Sequence, residues 1–254
     1  MPRYFLELAY KGNNYSGFQI QDNAPSIQQE VEKALGIFFR ATFQLTGSSR
    51  TDGGVHAVQN FFHVDYDGVM DDRVLYNINA ILPPDIVLTH IHPVAPDAHC
   101  RFDATSREYR YYIYRVKNPF LADRAWFYPY TLSRDKLKAA AELIPRHRDF
   151  TTFAKRNSQV RTFDCTVYES AWEEDEHTLI YRVRANRFLR GMVRGLVGTM
   201  VQVGRGKLSL EAFDAILQQK DNQLADFSAP GHGLFLHQVF FPVSTLEYSE
   251  KTTC

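Results

Sequence analysis

Residues 47–57, which read GSSRTDGGVHA, combine several side chains capable of chemistry in one short run. Arg50 and Asp52 are two positions apart, so on an extended backbone their side chains point to the same side. A nearby guanidinium lowers the pKa of a carboxyl group, which suits Asp52 to a nucleophilic or electrostatic role rather than to proton donation. A glycine-rich turn with a structural Arg50–Asp52 ion pair explains the same residues, and their types alone do not decide between the two.

The apolar pattern on both sides of this run predicts a loop between two strands. Apolar residues alternate with polar ones before it, and Val58, Phe61, Phe62 and Val64 resume a strand-like run after it. Loops held on rigid strands commonly carry binding and catalytic residues. The glycine pair 53–54 allows a positive φ and a close approach of backbone.

Tyr109 lies in a second candidate segment, residues 107–113, which read REYRYYI. Arginine and tyrosine alternating along a strand can bind phosphates and stack on bases. The alternative is that the tyrosines fill a core while the arginines are solvated.

Arg194 lies in a third candidate segment, in which residues 187–203 predict a long helix. Arg187, Arg190 and Arg194 would share one edge of it, while a broad apolar arc covers the rest. Buried arginines need anionic partners, and Asp52 is one candidate. A solvated basic edge is the alternative. Glycines would form a further strip that admits a neighbouring backbone: Gly191, Gly195 and Gly198.

The order of elements indicates an α+β fold. The first hundred residues read strand, helix, strand, strand, helix, strand, which is the order of a ferredoxin-like or RRM-like unit with one sheet face free. The second part reads strand, helix, hairpin, long helix, short helix and closing strand. A change in composition near residues 98–106 places the domain boundary, giving domains 1–104 and 105–254.

Bulk composition limits the classes of protein. The hydrophobic share of 44% and the charged share of 23% are those of a globular protein, and no apolar run has the roughly 20 residues of a membrane span. Cys100, Cys165 and Cys254 are isolated, so neither a disulfide framework nor a cysteine zinc site is expected. A cytoplasmic location is expected. His90, His92, His99 and Cys100 match no common metal site. No nucleotide-binding motif is present, so no cofactor is expected.

The net charge is zero, but its sign is segregated. Residues 177–210 contain no acidic residue, and two further basic groups lie at 101–117 and 146–161. Acidic residues concentrate at 173–176. This distribution predicts a basic face that suits a nucleic acid.

Five separated motifs, which follow one another along the chain in the same order as in the family, resemble those of the TruA-type tRNA pseudouridine synthases. Residues 49–57 (SRTDGGVHA) resemble the family's G-R-T-D-A-G-V-H-A. Residues 14–19 are similar to its Y-x-G-W-Q loop, and residues 101–111 to its F-x-A…R-x-Y-x-Y segment. Residues 186–204 are similar to its N-x-F-(L/V)-x-x-M-V-R…V-G helix, and residues 229–236 to its A-P-x-x-G-L-x-L end.

The resemblance implies a fold, a reaction and roles for residues. The fold would be two RRM-like halves that form a continuous antiparallel sheet, with helices on one face and a central active-site cleft. The reaction would convert uridine to pseudouridine at positions 38, 39 and 40 of the tRNA anticodon arm, by a homodimer without cofactor or metal. Asp52 would be the nucleophile, Tyr109 would contact the target uridine, and Arg194 with Arg50 would hold Asp52 ionised.

Four positions depart from the family pattern. Ser49 stands for Gly and Gly53 for Ala, which are changes between small residues, while Phe18 stands for Trp. Ile20 stands for Arg and removes a phosphate- or base-contacting side chain from the first loop. Two other classes compete with the enzyme: a non-catalytic RRM-like RNA-binding protein, and a metal-dependent hydrolase that uses Asp52, His56 and His63.

Overall fold

A computed structural model describes residues 1–155 and 160–247 of the chain. Arg156, a member of the third basic group, and Cys254 lie outside the described residues. The chain divides into two compact units, the first formed by residues 1–105 with those from 236 onward, and the second by residues 106–235.

The first unit follows the predicted order of elements. Its strands and helices, in chain order, are β1 (Arg3–Tyr10), α1 (Ile27–Phe39), β2 (Thr46–Gly47), β3 (His56–Asp65), α2 (Leu75–Ile81) and β4 (Ile86–Val94). β1 pairs antiparallel with both β3 and β4, and β2 pairs with β3. Ser26 caps α1, since its side chain accepts a hydrogen bond from the Gln29 N–H. The second predicted helix, residues 71–82, is a 3₁₀ turn at Asp72–Val74 followed by the shorter α2.

Alternation along β1 and β3 sets which side chains reach the helices. Leu6 pairs with Phe62, and both are fully buried, as are Val31 and Leu35 of α1. The apolar positions of α1 recur at helical spacing, so one face of the helix is buried. The two strands that flank the loop of residues 48–55 therefore belong to a packed core.

The second unit supplies the remaining helices and strands up to residue 235. They are β5 (Ser106–Tyr114), β6 (Trp126–Phe127), α3 (Arg134–Leu143), β7 (Val167–Glu174), β8 (Thr178–Ala185), α4 (Met192–Gly204) and α5 (Leu210–Gln218). β8 pairs antiparallel with β5 and β7, whereas β6 pairs parallel with β5. The strands of this unit are therefore mixed in direction, where the sequence predicts antiparallel strands only.

The chain ends with β9 (Leu234–Phe240) and α6 (Val243–Leu246). From residue 236 onward this segment groups with the first unit, where β9 lies beside β3 and the Val239 N–H donates to Oε1 of Gln59 at 3.0 Å. The predicted division assigns these residues to the second domain, 105–254. That difference arises because a strand far along the chain joins a sheet built by the first hundred residues.

Helix α4 begins later than predicted. The sequence predicts a helix from residue 187, but Gly191 has a φ of 76° and the helix starts at Met192. A left-handed residue interrupts the helical backbone, so Arg187 and Arg190 precede the helix and do not share an edge with Arg194. The prediction that this helix is buried is confirmed, because every residue of α4 except Arg194 and Gln202 is buried.

The glycines inside α4 allow the predicted close approach of backbone. A Cβ on Gly198 would lie 2.1 Å from the Asp226 carbonyl oxygen, and one on Gly195 would lie 2.8 Å from the Phe227 ring. The helices and strands of the two units confirm the predicted α+β class. Within residues 1–155 and 160–247, no helix is long and apolar enough to cross a membrane.

Candidate active site

The loop that carries Asp52 is pinned along its backbone by the loop before α1. The Phe18 N–H donates to the Thr51 carbonyl at 3.1 Å, and Gly17 and Asp52 form an antiparallel bridge. A bond of 3.2 Å from the Val55 N–H to the Asp52 carbonyl closes a turn. The position of Asp52 is therefore set by main-chain contacts that do not require its carboxylate.

Side chains buried beneath the loop anchor it to β1 and β3. Nδ2 of Asn60 donates to the Ser49 carbonyl at 2.9 Å and to the Tyr10 hydroxyl at 3.2 Å. That hydroxyl lies 2.8 Å from Oγ1 of Thr51. Asn60 is fully buried, so each of these bonds forms where water cannot replace it. Asn60 was not among the predicted site residues, although amides inside an apolar strand run are a recognisable signal.

His56 and Phe18 complete the support of the loop. His56 is buried, and its Nδ1 accepts a hydrogen bond of 3.1 Å from the Gly12 N–H. A Cβ on Gly12 would lie 2.0 Å from the Val55 carbonyl oxygen, so only glycine fits there. The Phe18 ring stacks on Phe62 with centroids 4.4 Å apart. Phe18 is buried, and its replacement of the family's Trp therefore affects packing under the loop.

Burial alternates along the loop from Arg50 to Asp52. Arg50 is exposed, Thr51 is buried and Asp52 is half-buried, as expected for extended backbone. Ile20, where the family has Arg, is exposed. The first unit thus presents Asp52 and Arg50 on a rigid loop whose interior side is packed.

The two glycines after Asp52 differ in their conformational demands, which gives a matched pair of variants. Gly54 has a φ of 76°, whereas a Cβ on Gly53 would only approach the Ser16 carbonyl oxygen to 3.3 Å. We expect Gly54→Ala to lower the free energy of unfolding by about 1–2 kcal/mol and Gly53→Ala to change it by less than about 0.5 kcal/mol. Urea unfolding of both variants measures this difference, and equal losses would contradict it.

Tyr109 belongs to the second unit and lies in β5. It is buried, pairs with Val183 of β8 and meets the Phe188 ring edge-on with centroids 4.9 Å apart. The ring is therefore held in a defined orientation by packing from the segment just before α4.

Arg194 lies in the first turn of α4 and is tied to the segment of residues 229–234. Its Nε donates to the Ala229 carbonyl at 2.6 Å, and the Tyr111 hydroxyl donates to the adjacent Pro230 carbonyl at 2.8 Å. The same segment packs closely on Tyr111, since a Cβ on Gly233 would lie 2.7 Å from its ring. The Ala229 carbonyl thus orients the Arg194 guanidinium, while Tyr111 holds the next carbonyl of the same segment.

The surroundings of Arg194 favour neutral neighbours. Burial raises the pKa of the Tyr111 hydroxyl well above its usual range, and the charge of Arg194 opposes this only in part. Burial also lowers the pKa of His232, with the charge of Arg194 acting in the same direction. Both groups are therefore uncharged at neutral pH, and the positive charge at this place is that of Arg194.

Several of the arginines assigned to a basic face are in fact paired with carboxylates. Arg182 forms ion pairs with Glu169 and Glu173, and Arg184 lies 2.6 Å from Glu169. Arg110 pairs with Glu108 at 2.9 Å. The stretch without acidic residues is acid-free only in sequence, because β7 brings glutamates beside β8.

The histidines proposed as metal ligands have other contacts. Nδ1 of His63 accepts the Cys100 N–H at 3.3 Å, and its ring meets that of His99 with centroids 4.5 Å apart. Burial lowers the pKa of His63 to about 4. His92 lies 2.9 Å from Glu7. Among the described residues, no group of three or more His, Cys, Asp or Glu side chains is close enough to hold a metal ion.

A carboxylate on a pinned loop, an oriented arginine and buried tyrosines are side chains that an enzyme can use to bind and attack a substrate. The sequence profile of a family described as tRNA pseudouridine synthase matches residues 139–242. Curated proteins called tRNA pseudouridine synthase A are similar over nearly their whole length. The protein from Bacteroides thetaiotaomicron is 42% identical to this chain, over 99% of this chain and 94% of its own length. The protein from Bacteroides fragilis is 44% identical, over 97% of this chain and 99% of its own length.

A protein of the same name from Staphylococcus aureus is 35% identical over 96% of this chain and 92% of its own. The chain therefore belongs to the tRNA pseudouridine synthase family, and the resemblance drawn from its motifs is confirmed. It is an isomerase of that family, and a non-catalytic RNA-binding protein is not favoured.

Proposed function

We propose that this protein converts uridine to pseudouridine at positions 38, 39 and 40 in the anticodon arm of tRNAs, with Asp52 as the nucleophile. The observation that carries the proposal is the placement of Asp52 on a loop fixed by the Thr51, Asp52 and Gly54 backbone contacts and by buried Asn60. Curated relatives named tRNA pseudouridine synthase A support the reaction class.

The reaction needs no external reactant. The N1–C1′ glycosidic bond breaks, the uracil turns, and C5 forms a new bond to the same ribose carbon. The proton on C5 is lost to a base and N1 gains a proton, so atoms and charge balance without an oxidant or reductant. The target base must first leave its stack, at a cost of a few kcal/mol.

Asp52 carries the covalent step in this proposal. An ionised carboxylate attacks either the ribose C1′ or the base, and each route holds the uracil while it turns. Because the Asp52 backbone is fixed by its neighbours, only the side-chain torsions of Asp52 remain to be ordered when the substrate binds.

The other site residues bind and orient. Tyr109 stacks on the flipped uracil, since its ring is already fixed edge-on against Phe188. Arg194 and Arg50 bind and orient the reacting groups, and the bond from Nε of Arg194 to Ala229 orients its guanidinium for that task. The proposal includes the RRM-like halves, the central cleft and the homodimer that the family resemblance implies.

The test is to map the product at single-nucleotide resolution. Purified protein is incubated with tRNA transcripts that carry uridine at position 38, 39 or 40, and pseudouridine is located by carbodiimide modification and primer extension. We expect product at those positions, and transcripts with cytidine there serve as the control. Product confined to other positions, or none in any transcript, would disprove the proposal.

A further inference from the structure

Four cations gather at the end of α4 farthest from Arg194. They are Arg115, Lys136, Arg205 and Lys207, and Arg205 lies over the ring of Tyr130. We call these five residues the α4-end patch. In residues 1–155 and 160–247, none of the four cations forms an ion pair with a carboxylate. This distinguishes the patch from the arginines of β5 and β8, which glutamates neutralise.

Three observations place members of the patch around the end of α4. The Ser133 N–H donates to the Gly204 carbonyl at 2.9 Å, which ties the segment after β6 to the end of α4. Arg115 donates to Oγ1 of Thr131 at 3.3 Å. Nζ of Lys136 lies 3.4 Å from where a Cβ on Gly206 would be. The positive charges near the end of α4 therefore come from three separate segments, with Lys207 two residues after Arg205.

Arg205 is the most organised member of the patch. Its Cζ lies 4.4 Å from the centre of the Tyr130 ring and 6.0 Å from that of Tyr128. A guanidinium that lies over an aromatic ring can keep its N–H edge open to a ligand. Among the described residues, no acceptor takes a hydrogen bond from that guanidinium. A planar fork of donors in this state matches the oxygens of a phosphate.

Tyr130 supplies the second element of a nucleic-acid surface. It is 55% exposed although it stacks with Arg205, and Trp126 and Tyr128 continue the row of rings behind it. Exposed tyrosines beside unpaired cations bind single-stranded or looped RNA by stacking while the cations bind its backbone. Cations at a helix C-terminus also stabilise the helix dipole, by about 0.3–1 kcal/mol each. That effect does not account for Tyr130, Arg115 or Lys136.

We propose that the α4-end patch binds the sugar–phosphate backbone of the tRNA at nucleotides away from the target uridine. Arg194 and Arg205 are eleven residues apart on one helix, which places them about 16 Å apart along its axis. The patch therefore meets a part of the RNA several nucleotides from the base that reacts. The inference rests on the proposed function, because it takes tRNA as the occupant.

Binding of the full-length protein to an unmodified tRNA transcript tests the patch, with Kd measured at two or more salt concentrations. We expect Arg205→Ala combined with Lys207→Ala to raise Kd roughly tenfold near about 0.1 M salt and to lower the slope of log Kd against log salt by about 1–2. Tyr130→Ala should raise Kd with little change in the slope. Arg205→Lys should keep the slope and lose part of the affinity, because it retains the charge without the planar stack.

Lys33→Ala is the matched control, since it removes one exposed cation from α1 in the first unit. It should bind within about twofold of the unchanged protein, and thermal melting of every variant checks the fold. Wild-type affinity and salt slope in the double variant would overturn the patch proposal, and would leave the surface to a protein partner. If the unchanged protein binds tRNA but forms no pseudouridine, the proposed function fails while the patch result stands. If it binds no tRNA, both fail.

Discussion

Asp52→Asn should reduce pseudouridine formation by at least about 10⁴-fold, because an amide cannot replace a carboxylate as nucleophile. Tritium release from tRNA labelled at uracil C5 measures this loss directly. The fold should persist, since the loop is held by main-chain contacts of Asp52, by the Thr51 hydroxyl and by Asn60. Binding of tRNA should stay within a few-fold of the unchanged protein.

Asp67→Asn provides the matched control for that experiment. It makes the same substitution at an exposed position after β3, so it tests for effects of charge alone. We expect it to retain full turnover and an unchanged melting temperature. Tritium release by Asp52→Asn within about tenfold of the unchanged protein would rule out Asp52 as the nucleophile.

The loop itself was predictable from sequence, but its supports were not. Glycines, small hydroxyls and Asp52 between two apolar strand runs predict a rigid loop, and residues 48–55 form one. Asn60 and Tyr10 hold the loop from β3 and β1, through contacts that span between 11 and 50 residues of sequence. Such long-range hydrogen bonds depend on strand register, which local composition does not specify.

Two predictions for the second unit, the distribution of charge and the start of α4, were wrong because each depended on the folded backbone. Acidic residues that neutralise Arg182 and Arg184 come from the neighbouring strand, so a stretch without acidic residues does not make an acid-free surface. Residues 187–191 carry helix-compatible side chains, but the positive φ of Gly191 delays α4 to Met192. Arg194 was predicted from its motif, whereas its hydrogen bond to the Ala229 carbonyl could be found only in the folded structure.

Arg194→Lys should reduce turnover by about 10²–10³-fold while the protein melts normally and binds tRNA. The guanidinium uses Nε to bind the Ala229 carbonyl, and its planar fork leaves the terminal nitrogens in fixed directions. A lysine ammonium has no such fork, so it can satisfy the carbonyl or a carboxylate but cannot hold both in the same geometry. Turnover under saturating tRNA should therefore fall with little change in KM.

Arg187→Lys is the control for Arg194→Lys, because it makes the same substitution in the segment that precedes α4. It should keep turnover near that of the unchanged protein. A purely structural role for Arg194 predicts a different pattern, in which the loss of the bond to Ala229 loosens the segment held by Tyr111 and lowers melting temperature and turnover together. The melting temperature of Arg194→Lys decides between the two roles, since only a catalytic role separates activity from stability.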